Sequence, residues 1–175
     1  VVAASGILDL SEKRVAEMGC FSGSVLRFLA HRQITCRFTG FDRLPRLLDA
    51  AQKMAPNNCE FIRWDYHSVP RAEGPVFDAV IGTLCIDFET HPMVARPNEA
   101  FASNTETNGI VEACGPSFAN WRSVTKAGGY CTVALRLGTI YAFAGAVQAA
   151  LLTGWQLNSA RSVLVRSSGE EFPVL

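Results

Sequence analysis

The sequence has no excess of either charge, since sixteen Lys plus Arg balance sixteen Asp plus Glu among 175 residues. Without a net charge there is no global field to draw the protein to an anionic polymer or surface, so a nucleic-acid partner is disfavoured. The one local excess, Arg27, Arg32, Arg37, Arg43 and Arg46, reads first as a solvated face. Long hydrophobic runs are missing too. The longest, Ile140 to Leu152, is too short to span a bilayer and carries Gln148, so no membrane partner is expected. The apolar start, Val1 to Leu10, lacks the basic flank of a signal peptide, and both it and the Val174-Leu175 end suggest boundaries inside structural elements. Six cysteines (Cys20, Cys36, Cys59, Cys85, Cys114, Cys131) form no Cys-x-x-Cys pair, and no His stands at zinc spacing. Neither a metal site nor a disulfide framework is therefore expected, and reduced thiols in the cytoplasm fit best.

What is present is enough for one domain over residues 1–175, with a hydrophobic content of 49% to build its core. The chain is organised around Lys13 to Ser24. Arg14 to Met18 reads as a buried strand that breaks into a Gly-Cys-Phe-Ser-Gly turn, and Val25 to His31 has helical spacing, with Val25, Leu26, Phe28 and Leu29 as its apolar face. Gly19 and Gly23 permit left-handed backbone and close approach, so the turn is either a ligand cradle or merely a tight connection. A helix over Ala3 to Leu10 precedes this unit.

Downstream, the pattern predicts a strand at Cys36 to Phe41 closing on Asp42, a helix from Pro45 to Met54 with Leu47, Leu48, Ala51 and Met54 inward, and strands at Glu60 to Trp64 and Phe77 to Gly82. Pro116 should start a helix that Gly128-Gly129 caps, followed by a strand from Tyr130 to Leu137. Thr139 should cap an apolar helix to Leu152, with strands at Trp155 to Arg166 and Glu170 to Leu175 forming a final hairpin. Alternating strands and helices imply an α/β, doubly wound, mostly parallel sheet. Seven strands are expected, with helices on both faces and the antiparallel C-terminal hairpin at one edge. In such a sheet ligands bind beyond the carboxyl ends of the strands, where Gly19, Asp42, Asp65 and Leu84 all fall.

A carboxylate ending the second strand suits the two hydroxyls of a ribose. The dinucleotide fingerprint Gly-x-Gly-x-x-Gly is absent, however, because Phe21 and Ser24 occupy its second and third glycine positions, so a pyrophosphate is not the expected ligand. Residues 87–114 lose the regular pattern around His91-Pro92, Arg96-Pro97 and Asn108-Gly109, and a connection that long reads as an acceptor-selecting insertion or mobile lid.

These features together resemble the class I S-adenosylmethionine-dependent methyltransferases. Val-Ala-Glu17-Met-Gly19-Cys-Phe-Ser-Gly23 is similar to the first motif of that family, and Phe38-Thr-Gly-Phe-Asp42 with Leu47-Leu48-Asp49-Ala50-Ala51 to the second. Phe61-Ile-Arg-Trp-Asp65 resembles the adenine-contacting segment, Phe77-Asp78-Ala-Val-Ile the fourth strand, and Thr125-Lys126-Ala-Gly128-Gly129-Tyr the turn before the fifth. The resemblance implies S-adenosyl-L-methionine as cofactor. It assigns the methionine end to Glu17, Gly19, Cys20, Phe21 and Gly23, and the ribose to Asp42 with Arg43 beside it. The adenine amino group falls to Asp65, with Trp64 or Tyr66 flanking the ring, and the surroundings of the sulfonium to Leu84 and Cys85. A general base, where the acceptor needs one, is expected among Asp87, Glu89 and His91 just beyond the fourth strand, with His67 a further candidate. The Asp/Asn-Pro-Pro-Tyr motif of amino methyltransferases acting on bases and glutamine is missing, the corresponding stretch being Gly82-Thr-Leu-Cys-Ile-Asp87. That weakens the nucleic-acid and amide-nitrogen readings and leaves a small or medium-sized acceptor as the expectation. The alternatives are a non-catalytic module that binds the same cofactor and acts through a partner protein, or another nucleoside-binding enzyme on the same sheet.

Overall fold

The computed structural model describes residues 10–33, 35–67, 69–83, 107–134, 140–157, 163–165 and 171–173. Its central strand is β1 (Arg14–Met18), in which Val15, Ala16, Glu17 and Met18 are all buried. Such a run, without polar alternation, is what a strand covered on both faces requires. α1 (Ser24–Ala30), β2 (Arg37–Asp42), α2 (Pro45–Lys53), β3 (Cys59–Arg63) and β4 (Phe77–Thr83) follow, then α3 (Thr107–Val124), β5 (Thr125–Ala134), α4 (Ile140–Leu152), β6 (Val163–Val165) and β7 (Glu171–Pro173). The sheet order is β3-β2-β1-β4-β5 with every neighbouring pair parallel. Strand order therefore reverses between β1 and β4, and the crevice at their carboxyl ends is where such sheets take ligands.

Side chains alternate across the sheet into two cores. Val15, Phe38, Ala79 and Ile81 pack with Leu26, Leu29 and Ala30 of α1 on one face. Ala16, Met18, Phe41 and Val80 pack on the other with Phe118 and Trp121 of α3 and Ala146 and Ala149 of α4. The doubly wound arrangement holds, but among the described residues the sheet has five strands, not seven. β6 and β7 pair antiparallel, Leu164 opposite Phe172, as a separate two-stranded ladder that joins no edge of the main sheet among the described residues. Among the described residues Trp155, at the head of the expected strand, is engaged elsewhere: its backbone N–H donates to Ala150 O at 3.1 Å and its indole to Phe118 O at 3.1 Å.

Two further boundaries are corrected. α3 begins at Thr107 and carries Pro116 inside it rather than at its start, so the last residues of the irregular 87–114 stretch are helical. β5 follows α3 directly, and Gly128-Gly129 lies within the strand instead of capping the helix. Its register against β4 jumps between Phe77↔Thr125 and Ala79↔Tyr130, the extra residues forming a bulge with Gly128 at φ 75°. Lys126 on that bulge donates to Asp78 at 2.9 Å. In α2, Leu48 and Ala51 face inward as expected, whereas Met54 is 65% exposed because the helix has already ended. Phe28 is also exposed, with the Arg32 guanidinium 3.9 Å from its ring centroid. The helix expected over Ala3 to Leu10 lies almost wholly outside the described residues. Among the described residues no helix is long and apolar enough to cross a membrane.

Candidate functional site

Where β1 ends, the chain reverses through three alternate left-handed residues: Gly19 at φ 67°, Phe21 at 50° and Gly23 at 72°. Two of these are glycines and take the conformation without penalty, while Phe21 takes it against the clash of its Cβ with the backbone. The turn is tied down at several points. Cys20 N–H donates to Phe41 O at 3.0 Å, Gly23 N–H to Cys20 O at 2.8 Å, and the Arg27 guanidinium to Ser22 O at 2.5 Å.

Asp42, at the end of β2, is buried and supports this turn directly. Its Oδ2 accepts the Phe21 backbone N–H at 3.0 Å and its Oδ1 the Leu44 N–H at 2.9 Å. The neighbouring Arg43 is exposed.

Glu17 lies on β1 next to Gly40 of β2 and Ile81 of β4, and is 1% exposed. Its Oε2 has no hydrogen-bond partner, and the same holds for the buried Thr83 Oγ1 at the end of β4, among the described residues. Burial pushes the Glu17 carboxyl up to about 8; the Thr83 hydroxyl, near the carboxyl without the geometry of a hydrogen bond, opposes that rise, and the Asp42 charge adds to it. The Cys20 thiol, also buried, is pushed up first by desolvation and then by the charges of Glu17 and Asp42. A buried carboxyl with an unused acceptor is costly unless something pairs with it.

Beneath the turn, the Phe61 ring of β3 fills the space that side chains on Gly23 and Gly40 would need. A Cβ on Gly23 would stand 2.5 Å from Phe61 Cε1, and one on Gly40 would stand 2.5 Å from Phe61 Cδ1 and 2.8 Å from Cys20 Sγ. Gly40 is thus a packing requirement, and Gly23 is required both for φ and for space.

Beyond β3 the aromatic residues belong to the core. Trp64 and Tyr66 are 6% and 5% exposed. The Trp64 indole donates to Val69 O at 2.6 Å and packs edge-on against Phe41, with the Arg71 guanidinium over both rings. Asp65 between them is partly exposed, and its Oδ1 accepts the His67 N–H at 3.3 Å. His67 Nδ1 and Ser117 Oγ of α3 are hydrogen-bonded at 2.6 Å, and Asn120 Nδ2 donates to Tyr66 O at 2.7 Å.

The structure therefore brings Glu17, Gly19, Cys20, Phe21, Gly23 and Asp42 together at the carboxyl ends of β1 and β2, with Asp65 at the end of neighbouring β3. Leu84, Cys85, Asp87, Glu89 and His91 lie outside the described residues. Sequence reasoning missed Thr83, Phe61, Ser117 and Asn120. Nothing local in the sequence marks the α3 residues or the Phe61 contacts with Gly23 and Gly40. Two cavities lined by described residues lie elsewhere: one of about 230 Å³ by Lys13, Asp78 and Lys126 at the amino ends of the strands, and one of about 160 Å³ by Thr39, Glu60 and Arg71 on the sheet face. Among the described residues no group of His, Cys, Asp and Glu is placed to hold a metal ion.

Residues 15–109 match the family model described as a methyltransferase domain. A trans-aconitate 2-methyltransferase of Streptomyces coelicolor is 45% identical over 48 residues, which is 27% of this chain and 16% of that relative. Among solved structures, an S-adenosylmethionine-dependent methyltransferase from Mesorhizobium loti shares the fold with a TM-score of 0.51 at 15% identity, over 74% of this chain and 50% of its own. PKMT2 from Rickettsia typhi, solved in complex with AdoHcy, does so with a TM-score of 0.52 at 15% identity, over 71% of this chain and 21% of its own. The chain thus spans half or less of the length of each of these relatives.

Proposed function

Since the chain belongs to the methyltransferase domain family, we propose that it binds S-adenosylmethionine across the carboxyl ends of β1, β2 and β3 and passes a methyl group in line to a small or medium-sized acceptor. The observation that carries this reading is the buried, unpartnered Glu17 Oε2 beside the left-handed turn and Asp42. An orphaned acceptor beside a left-handed turn suits a ligand with a cationic ammonium at one end and hydroxyls further along. The bound cofactor supplies a sulfonium-activated methyl group.

Glu17 accepts from the ammonium, and the Gly19 to Gly23 turn lets the backbone come close to it, with Cys20 and Phe21 forming its walls. Asp42 takes the ribose hydroxyls on the lone pairs that Phe21 and Leu44 leave unused, since a carboxylate offers about four acceptor positions. Asp65 accepts from the adenine amino group, Trp64 and Tyr66 support that loop from the core, and Arg43 lies at the ribose edge. Leu84 and Cys85 border the sulfonium. Orienting the nucleophile can supply about 7–11 kcal/mol of the barrier. A base among Asp87, Glu89 and His91 adds about 10²–10⁴-fold where the acceptor must lose a proton. Residues 87–114, which follow β4 in the chain, select the acceptor.

Titration calorimetry tests the reading. S-adenosylmethionine and S-adenosylhomocysteine are expected to bind and NAD is not. Binding of NAD in preference, or of neither sulfur nucleoside, overturns it.

A further inference from the structure

The loop after β3 has no helix of its own to follow it, since the next element is β4. Besides the bonds it makes within itself, the loop finds partners on α3 for one carbonyl, Tyr66 O, and for the His67 ring. Ser117, Asn120 and Trp121 stand at i, i+3 and i+4, on one face of that helix. Ser117 Oγ bonds His67 Nδ1 at 2.6 Å, Asn120 Nδ2 bonds Tyr66 O at 2.7 Å, and the Trp121 ring lies edge-on to Tyr66 at 5.7 Å. Ser117 is fully buried and Asn120 nearly so. Polar side chains in a helix core are expensive unless satisfied, and these two are turned toward a segment 50 and 54 residues away in the chain.

The consequence lies at Asp65. His67 is held twice, its ring by Ser117 and its backbone N–H by Asp65 Oδ1 at 3.3 Å. The orientation of the Asp65 carboxylate is therefore linked through His67 to the position of α3. The geometry points to Ser117, Asn120 and His67 as positioning residues that aim Asp65 at the exocyclic amino group of the adenine. This rests on the adenine role proposed for Asp65.

The test compares S-adenosylhomocysteine with S-inosylhomocysteine, in which an oxo group replaces that amino group, by calorimetry and competition on the full chain. The native protein should prefer the adenosyl ligand by about tenfold or more, the worth of a hydrogen bond to a charged acceptor. His67→Ala and Ser117→Ala should bring the preference down to about threefold or less. His67→Asn, whose amide can take the place of Nδ1, should retain it. His67 is partly exposed, so its truncation opens no core and reads the effect even where Ser117→Ala fails to fold. A general loss of stability weakens both ligands alike and leaves their ratio unchanged. An unchanged ratio in His67→Ala, or a native ratio near one, overturns the inference. Native protein that binds neither ligand overturns the proposed function instead.

Discussion

Asp42 Oδ2 accepts the backbone N–H of Phe21 at 3.0 Å, so the acid that ends β2 holds the turn that ends β1. One carboxylate thereby shapes the turn and, in the proposed function, also takes the ribose. Asp42→Ala should weaken S-adenosylhomocysteine by at least about tenfold, since hydrogen bonds to a charged group are worth about 1.5–3 kcal/mol. It should also lower the urea midpoint, because two backbone N–H groups lose their acceptor. Unchanged affinity in calorimetry would sink the assignment.

Phe21 sits at φ 50° with its side chain 37% exposed. A left-handed residue with a Cβ costs about 1–2 kcal/mol, part of which glycine returns as chain entropy in the unfolded state. Phe21→Gly is expected to raise stability by about 0.5–1 kcal/mol, whereas Phe21→Ala, which keeps the Cβ, should gain nothing. Urea denaturation of the two variants side by side checks this. Calorimetry on Phe21→Gly then shows whether the ring crowds the cofactor, giving tighter binding, or touches it.

Gly40→Ala drives a methyl group into the Phe61 ring. Overpacking of this kind costs about 1–3 kcal/mol. Adding Phe61→Leu should recover part of the loss, and a double-mutant cycle by thermal melts measures the coupling. Full additivity of the two changes would show that the ring does not set the requirement for glycine.

Glu17 gives the ligand-free protein a pH dependence. Its carboxyl is raised from 4.5 to about 8, mainly by burial. The contribution is complete below pH 4.5, where both states hold the proton, and is lost as pH rises to about 8 because the unfolded chain releases its proton first. Each unit of difference is worth about 1.4 kcal/mol. Melting temperature should therefore fall between pH 5 and pH 8, and Glu17→Gln should flatten that fall. A variant that declines as steeply as the native protein would place the titrating group elsewhere.

The parallel core and the carboxyl-end cluster were legible because their signals are local. Apolar runs mark β1, β2 and β4, and β1 is followed by Gly19 while β2 closes on Asp42. Three features misled for physical reasons. Pro116 reads as a first-turn residue, yet α3 continues through it, the buried side chains Cys114, Phe118 and Trp121 holding the helix on the core to either side. Gly128-Gly129 reads as a helix cap, yet Thr125 already opposes Phe77 and the glycines are absorbed as a bulge. Trp64 and Tyr66 read as ring-flanking residues, and their placement in the core depends on Phe41 and Trp121, far away in sequence. The α3 contacts to His67 and Tyr66 were illegible for the same reason.

The rings of Phe77, Phe41, Trp64, Tyr66, Trp121 and Phe118 form a continuous chain of tilted and edge-on neighbours, with centroid separations between 5.1 and 6.0 Å. Chromophores fixed this closely and asymmetrically couple their transitions, so the folded protein carries its own optical signature in the near ultraviolet. Tyr66 lies between two indoles and passes excitation to them. Trp64 emits one residue from Asp65, with a cation above its ring. With Trp121 and Trp155 replaced by Phe, emission from that indole should report events at the β3 end of the crevice without any attached dye.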